Sequence, residues 1–442
     1  MEMKENQLKQ VWYVMLLVIA FLSFVYFVPD FSIFNHPFKK LNLMGDIQRE
    51  DHLLQPKDSS INPADAVIEI APIRKVNVAF IEEYEKDNLS NFFEALRHSR
   101  TNPVRVAFFG DSFIEGDILC GPFRDTLQRI FGGSGVGYMP ITSEVTRFRT
   151  SVQHDFTQWE TFSMVGKKQH NAPLGLPGYC FLPAPGNEVI YKPVGKNFVT
   201  VKLFYESEKY GRGRFTLNEH LSELFDLGPS DQLSQYELPG AGFSSVKLSF
   251  PSVDSLRVYG VALEDSIGIS VDNFSMRSNP GMGLLLVDRK RMRQFDSLRN
   301  YKLVVLQYGL NVISEKDSSG YVWYLDKMVS LIKRLKEDFS NCGFLLVSVG
   351  DRCTNQNGKI TTMPDVKVMR DIQKKIAQKS GIAFWDMFTA MGSDNSIKNY
   401  TEAQPPLAAK DYTHLTFRGG RKIAKKLADA LLYEKTKYDK KR

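Results

Sequence analysis

The sequence predicts an α/β protein, a parallel sheet with helices on both faces, interrupted by a β-sandwich domain and preceded by an apolar segment. Three observations carry this. The runs VRVAFF at 104–109, YKLVVLQY at 301–308 and GFLLVSV at 343–349 are continuously apolar or nearly so, as strands buried on both faces are. Amphipathic stretches at 322–339, 366–380 and 417–433 alternate with such strands, and that alternation builds a parallel sheet flanked by helices. From Pro140 to about Val261 the runs shorten (FVTVKLFYES, GRFTLN, SVKLSF, LRVYGVAL) and are separated by Gly, Pro, Asn and Ser clusters, the pattern of an antiparallel sandwich.

Taken in order, residues 1–10 form a short tail expected on the cytoplasmic side. Residues 11–28 (VWYVMLLVIAFLSFVYFV) are uncharged and would span about 27 Å as a helix, enough to cross a bilayer. A cleavable signal needs small residues after its apolar core, and Phe27-Val28-Pro29-Asp30 follows instead, so an uncleaved signal-anchor in the inner membrane is expected. That places the rest of the chain on the extracytoplasmic side. Residues 29–76 lack a sustained period and read as a stalk or linker. The first part of the α/β domain spans 77–139, the inserted sandwich 140–262, and the second part 263–442. Within the first part, 79–100 carries apolar residues at helical spacing, 118–131 reads as a second helix, and the glycines at 132–137 read as a flexible loop.

Composition narrows the partners. A chain of 442 residues, 43% apolar, has ample core, and its net charge of +7 includes no basic stripe with interleaved aromatics, so nucleic acid is not an expected partner. Cys120, Cys180, Cys342 and Cys353 have neither CxxC spacing nor companion histidines, which argues against a structural zinc site. Cys342 and Cys353 flank a strand that holds them about 20 Å apart or more, beyond disulfide reach.

The strand at 104–109 ends abruptly at Gly110-Asp111-Ser112, which sets a serine hydroxyl at the sheet edge where open α/β folds bind ligands. A Gly-Asp-Ser tripeptide arises by chance in about one chain in ten of this length, so its partners decide its meaning. A serine nucleophile needs a base, and the base an orienting carboxylate. Of the seven histidines only His414 has an aspartate three residues before it, Asp411 in KDYTHLTFRGG, and that spacing lets the carboxylate curl back onto one ring nitrogen. Thr416 is placed to cap the helix that follows. Asn311, after the strand KLVVLQ, can offer its side-chain NH₂ to a developing oxyanion.

On the motifs GDS at 110–112, GLN at 309–311 and DYTH at 411–414, the chain resembles the SGNH or GDSL hydrolases over Val104 to Tyr138 and about Ile267 to Tyr433. The resemblance implies a three-layer α/β/α, flavodoxin-like fold, with Ser112 as nucleophile, His414 as base, Asp411 as its orienter and no metal or cofactor. It also implies an oxyanion hole made by the N–H of Ser112, the Asn311 amide and a backbone N–H from a second block. That block normally presents a glycine; here Ser278 stands at the place, and Gly281 is the other candidate donor. Anchor, insert and block order resemble the branch that removes O-acetyl groups from peptidoglycan or other envelope polysaccharides, in which the insert is similar to a carbohydrate-binding module. Among its aromatics, Trp159, Tyr179, Tyr191, Tyr205 and Tyr210 are candidates to stack on sugar rings, most of them being expected as packing residues instead. The expected function is therefore an esterase acting on an acylated envelope polysaccharide. The rivals are an acetyltransferase working with a membrane-bound O-acyltransferase and a non-catalytic glycan-binding protein.

Overall fold

The structure, a computed structural model, describes residues 79–442 apart from 166–172, 177, 196 and 315–319, together with 12–13, 17, 31–33 and 36–38. The chain divides into two compact units, Met1–Ile61 and Asn62–Arg442. In the first, Phe31–Ile33 pairs antiparallel with His36–Phe38. The expected signal-anchor at 11–28 lies outside the described residues except for Trp12, Tyr13 and Leu17. Among the described residues no helix is long and apolar enough to cross a membrane.

The second unit is built on a six-stranded sheet whose strands, in chain order, are β1 (Ile81–Glu83), β2 (Pro103–Gly110), β3 (Gly268–Ser275), β4 (Tyr301–Gln307), β5 (Gly343–Val347) and β6 (Ala383–Trp385). Their order across the sheet is β3-β2-β4-β5-β6-β1, with only β1 antiparallel. Parallel sheets of this order place their ligand where the connections diverge. Here that is between β2 and β4, which precede Ser112 and Asn311. The helices are α1 (Ser90–Arg97), α2 (Cys120–Phe131), α3 (Arg289–Arg299), α4 (Val322–Asp338), α5 (Pro364–Ser380), α6 (Met387–Met391), α7 (Ser396–Glu402) and α8 (Phe417–Asp439). α8 packs against α1 and α2, and α4 against α3 and α5, giving two helical layers on one apolar core.

Two antiparallel sheets occupy the chain between β2 and β3. One runs Ser230–Phe243, Phe198–Ser207, Leu256–Glu264, Tyr179–Leu182, Glu160–Ser163, and Gly135–Met139 also pairs with Leu256–Glu264. The other runs Leu221–Leu227, Gly211–Leu217, Val246–Ser252, Glu188–Pro193, Val152–Phe156. They enclose a second core that includes Val201, Leu203, Phe215, Leu248 and Val258.

Two local expectations change, and a third, that most of the named sandwich aromatics are packing residues, holds. The helix expected over 79–100 begins only at Ser90, because Ile81–Glu83 finds a ladder partner in β6 and Trp385 Nε1 donates to the Ala79 carbonyl. The glycine run is no loop throughout: Gly135–Met139 is a buried strand, and a Cβ on Gly135 would sit 2.3 Å from the Leu263 carbonyl oxygen, so only glycine permits the approach. Of the five sandwich aromatics, Trp159, Tyr191 and Tyr205 are buried packing residues and only Tyr210 is largely exposed. The four cysteines are free.

Sandwich and α/β layers are fastened by buried charge. Glu264, on a sandwich strand, accepts from both Arg105 and Arg299, at 2.9 and 2.7 Å; Arg299 also reaches Asp272 at 2.8 Å, and Asp272 takes the Tyr138 N–H and the Tyr301 hydroxyl. Burial alone would raise the Glu264 carboxyl, but Arg299 and Arg105 hold it well below the ordinary range. Removing one partner strands the others in a low dielectric. Arg299→Met is therefore expected to lower stability by about 3–5 kcal/mol, read as a lower urea midpoint; an unchanged midpoint contradicts the role given to this network.

Candidate active site

β2 ends against its neighbour. A Cβ on Gly110 would lie 2.8 Å from the Gln307 carbonyl oxygen, so the glycine allows β2 and β4 to close on each other before the chain turns. Asp111 then shapes the turn: its Oδ1 accepts the Phe113 N–H at 3.0 Å, its carbonyl accepts from Ile114 and Glu115, and its Oδ2 accepts the Asn311 amide at 3.0 Å. Ser112, half-buried, has its Oγ 3.2 Å from His414 Nε2.

The loop before α8 holds the base. Asp411 Oδ2 lies 2.6 Å from His414 Nδ1, while its Oδ1 accepts the backbone N–H groups of Thr413 and His414, both at 3.0 Å. Burial pushes the Asp411 carboxyl up, but these bonds outweigh it and the net shift is downward. An ionised Asp411 keeps the proton on Nδ1, which leaves Nε2 free to accept from Ser112. Thr416 caps α8 by accepting the Gly419 N–H. The Phe113 ring lies 5.9 Å from the imidazole and walls one side of it.

Gln373 on α5 was not visible as a site residue in the sequence. It is fully buried, donating to the Tyr308 carbonyl at 2.7 Å and accepting the Val349 N–H at 2.7 Å, so it clamps the ends of β4 and β5. Asn311 follows this clamp through Gly309, whose φ of +116° and close contacts with Gln373 and Val349 require glycine.

The second-block expectation resolves into two outcomes. Ser278 sits at φ +61°, the left-handed conformation that glycine adopts freely, and no hydrogen bond takes its N–H among the described residues. Its turn follows β3, whose Ser275 pairs with Gly110, so it leaves the strand next to that of Ser112. Gly281 is corrected: its N–H is committed to Asn279 Oδ1 at 2.9 Å and is not a free donor. A cleft of about 430 Å³ opens beside Asp411, lined also by Ile313, Arg352, Thr354, Met363 and Thr413.

The arrangement provides a half-buried hydroxyl hydrogen-bonded to an oriented imidazole, with the free Ser278 N–H following the neighbouring strand, which is equipment for acyl transfer. No family model and no curated protein matches the chain. Among solved structures, one described as "Peptidoglycan O-acetylesterase in action, 5 min" aligns at a TM-score of 0.67 and 18% identity, over 81% of this chain and 99% of that one. An acetyl xylan esterase (19% identity; 37% of this chain, 81% of that one) and a family two carbohydrate esterase from Clostridium thermocellum (10% identity; 61% and 97%) align at TM-scores of only 0.29 and 0.27. The chain thus shares the fold of the first of these, an α/β/α domain carrying a β-rich insert. Its motifs at 110–112, 309–311 and 411–414 are the residues that resemble the SGNH hydrolases.

Burial raises the Asp111 carboxyl from 3.8 to about 7. The folded chain therefore holds this proton more tightly than the unfolded chain, and the resulting cost to stability grows as pH rises from 3.8 to about 7. Asp111→Asn removes that component. Urea denaturation at both ends of the window should show the variant gaining on the wild type as pH rises, and a gap that stays constant contradicts this account of Asp111.

Proposed function

We propose that the protein is a serine esterase that removes O-acetyl groups from a cell-envelope polysaccharide such as peptidoglycan, held to the membrane by residues 11–28 and working on the extracytoplasmic side. The observation that carries the reading is the unbroken relay from Ser112 Oγ through His414 to Asp411, set at the switch point of the sheet. Ser112 attacks the ester carbonyl while His414 Nε2 takes its proton. The tetrahedral oxyanion is held by the N–H groups of Ser112 and Ser278 and by the Asn311 amide. As the C–O bond breaks, His414 returns the proton to the departing sugar hydroxyl, leaving an acetyl ester on Ser112. Water, deprotonated by His414, then attacks that ester; the bond from the acyl carbon to Ser112 Oγ breaks, His414 returns the proton to Oγ, and acetate leaves.

Water access favours hydrolysis over transfer to a second sugar: the side chains of His414 and Asp411 are 44% and 49% exposed, so water reaches the base that would activate it. The likeness in fold to a peptidoglycan O-acetylesterase supports the chemistry, and the particular polysaccharide is part of the proposal. Mass spectrometry of envelope glycans incubated with the protein tests it. Loss of acetyl supports the esterase, gain of acetyl on an acceptor replaces it with the transferase, and no change overturns catalysis on these glycans.

Two variants test the machinery. Ser112→Ala should abolish release of p-nitrophenol from its acetate ester while circular dichroism stays unchanged; turnover retained in that variant rules Ser112 out as nucleophile. Asn311→Ala should lower kcat by about 10²–10³ with KM little changed, the loss typical of one oxyanion donor; a change confined to KM would assign Asn311 to ground-state binding instead.

A further inference from the structure

The turn that carries Ser278 is tied to the nucleophile turn by two bonds that the relay does not use. The Met276 N–H donates to the Gly110 carbonyl at 2.9 Å, which carries the ladder between β2 and β3 one residue past the pairing of Ser275 with Gly110. Arg277 Nε then donates to Glu115 Oε2 at 2.8 Å, between residues 162 positions apart in sequence. Glu115 belongs to the turn Glu115–Asp117 just after Ser112, and its own N–H donates to the Asp111 carbonyl at 3.2 Å. Ser112 is thus flanked by Gly110 and Glu115, and each of these holds one of the two residues that lead into Ser278.

The two ends of the ion pair differ in exposure. The Glu115 side chain is 10% exposed and that of Arg277 68%. Wholly exposed pairs contribute little, but a carboxylate drawn this far out of water needs a charged partner, and Arg277 supplies the one ion pair that Glu115 makes among the described residues. The backbone has a need of its own. Ser278 sits at φ +61°, where a residue with a Cβ is held only if its surroundings over-determine it. On the far side Asn279, which is buried, donates its N–H to the Met276 carbonyl at 3.3 Å and accepts the Gly281 N–H on Oδ1 at 2.9 Å, and the Tyr324 hydroxyl donates to the Pro280 carbonyl at 3.2 Å. Anchors at Met276, Arg277, Asn279 and Pro280 fix the orientation of the Ser278 N–H between them, and among the described residues nothing accepts from that donor.

We propose that Glu115 and Arg277 are positioning residues: their ion pair holds the Ser278 N–H toward the oxygen that becomes negative when Ser112 attacks its ester. The inference rests on the esterase reading and deepens it, by assigning to the second backbone donor the device that aligns it. A donor displaced by a fraction of an ångström stays in the site but loses much of its effect, so such support is felt in the transition state more than in substrate binding. Neither side chain needs to touch the substrate.

The test uses the full chain with p-nitrophenyl acetate. An oxyanion forms in both acylation and deacylation, so Arg277→Ala should lower kcat about tenfold, less than outright loss of a donor, and leave KM nearly unchanged. Arg277→Lys should restore most of kcat, because its ammonium still reaches Glu115. Glu115→Ala should cost about as much as Arg277→Ala, and the double variant no more than either alone. The Ki of a trifluoromethyl ketone, whose adduct with Ser112 bears an oxyanion, should rise by the factor by which kcat falls. The proposal is overturned by an unchanged kcat in Arg277→Ala, by a loss confined to KM, which would make Arg277 a substrate contact, by a loss that Arg277→Lys leaves in place, or by losses that multiply in the double variant. If Glu115→Ala does not fold, the Arg277 variants and the inhibitor decide. A wild type that does not turn over the ester overturns the esterase reading itself, whereas the outcomes above bear on the ion pair alone.

Discussion

Asp111 lies buried beneath the nucleophile turn and makes a hydrogen bond to each of the two strand ends that meet there. One oxygen shapes the turn through Phe113, and the other fixes the Asn311 amide across the gap between β2 and β4. The bond to Asn311 joins residues 200 positions apart in sequence, and it makes nucleophile and oxyanion donor parts of one rigid unit. The unit depends on backbone closeness that side chains would prevent. Gly110 brings β2 against Gln307, Gly309 brings Tyr308 and Val349 under the Gln373 clamp, and without either glycine the two strand ends would stand further apart.

The sandwich is fixed to this frame with comparable firmness. Glu264 reaches from the sandwich between two arginines of the α/β layer, and Asp272 in β3 accepts the Tyr138 N–H from the sandwich. Buried ion pairs of this kind add little net stability over apolar packing, but they penalise every other docking geometry. Their effect is positional. They hold the sandwich residues Ser143 and Tyr179 beside Glu115 and Gly116, which follow the turn that carries Ser112.

What the sequence disclosed was whatever is local or continuous. The buried strands announced themselves as uninterrupted apolar runs, and the Asp411–His414 pair and the Thr416 cap depend on spacings of three residues. Features that depend on distant partners were hidden. Ile81–Glu83 looks helical until β6 is there to pair with it, and Gly135–Met139 looks like a loop because the contacts that demand its glycines come from Leu263 and Asp272. Gln373 and Arg299 are polar residues on amphipathic helices, and nothing in their neighbourhood marks them as clamps. The choice between Ser278 and Gly281 turned on a side chain, Asn279, whose bond to the Gly281 N–H only three dimensions reveal.

The central claim is that the relay from Ser112 to Asp411 makes Ser112 a nucleophile strong enough to form a covalent acyl intermediate. A fluorophosphonate reports on this directly, because it forms a stable bond only with a serine activated by its base and held against oxyanion donors. Treatment of the full chain followed by peptide mass spectrometry should give a single adduct, on the peptide containing Gly110-Asp111-Ser112 and located at Ser112. Absence of any adduct, or one on a different serine, would contradict the account.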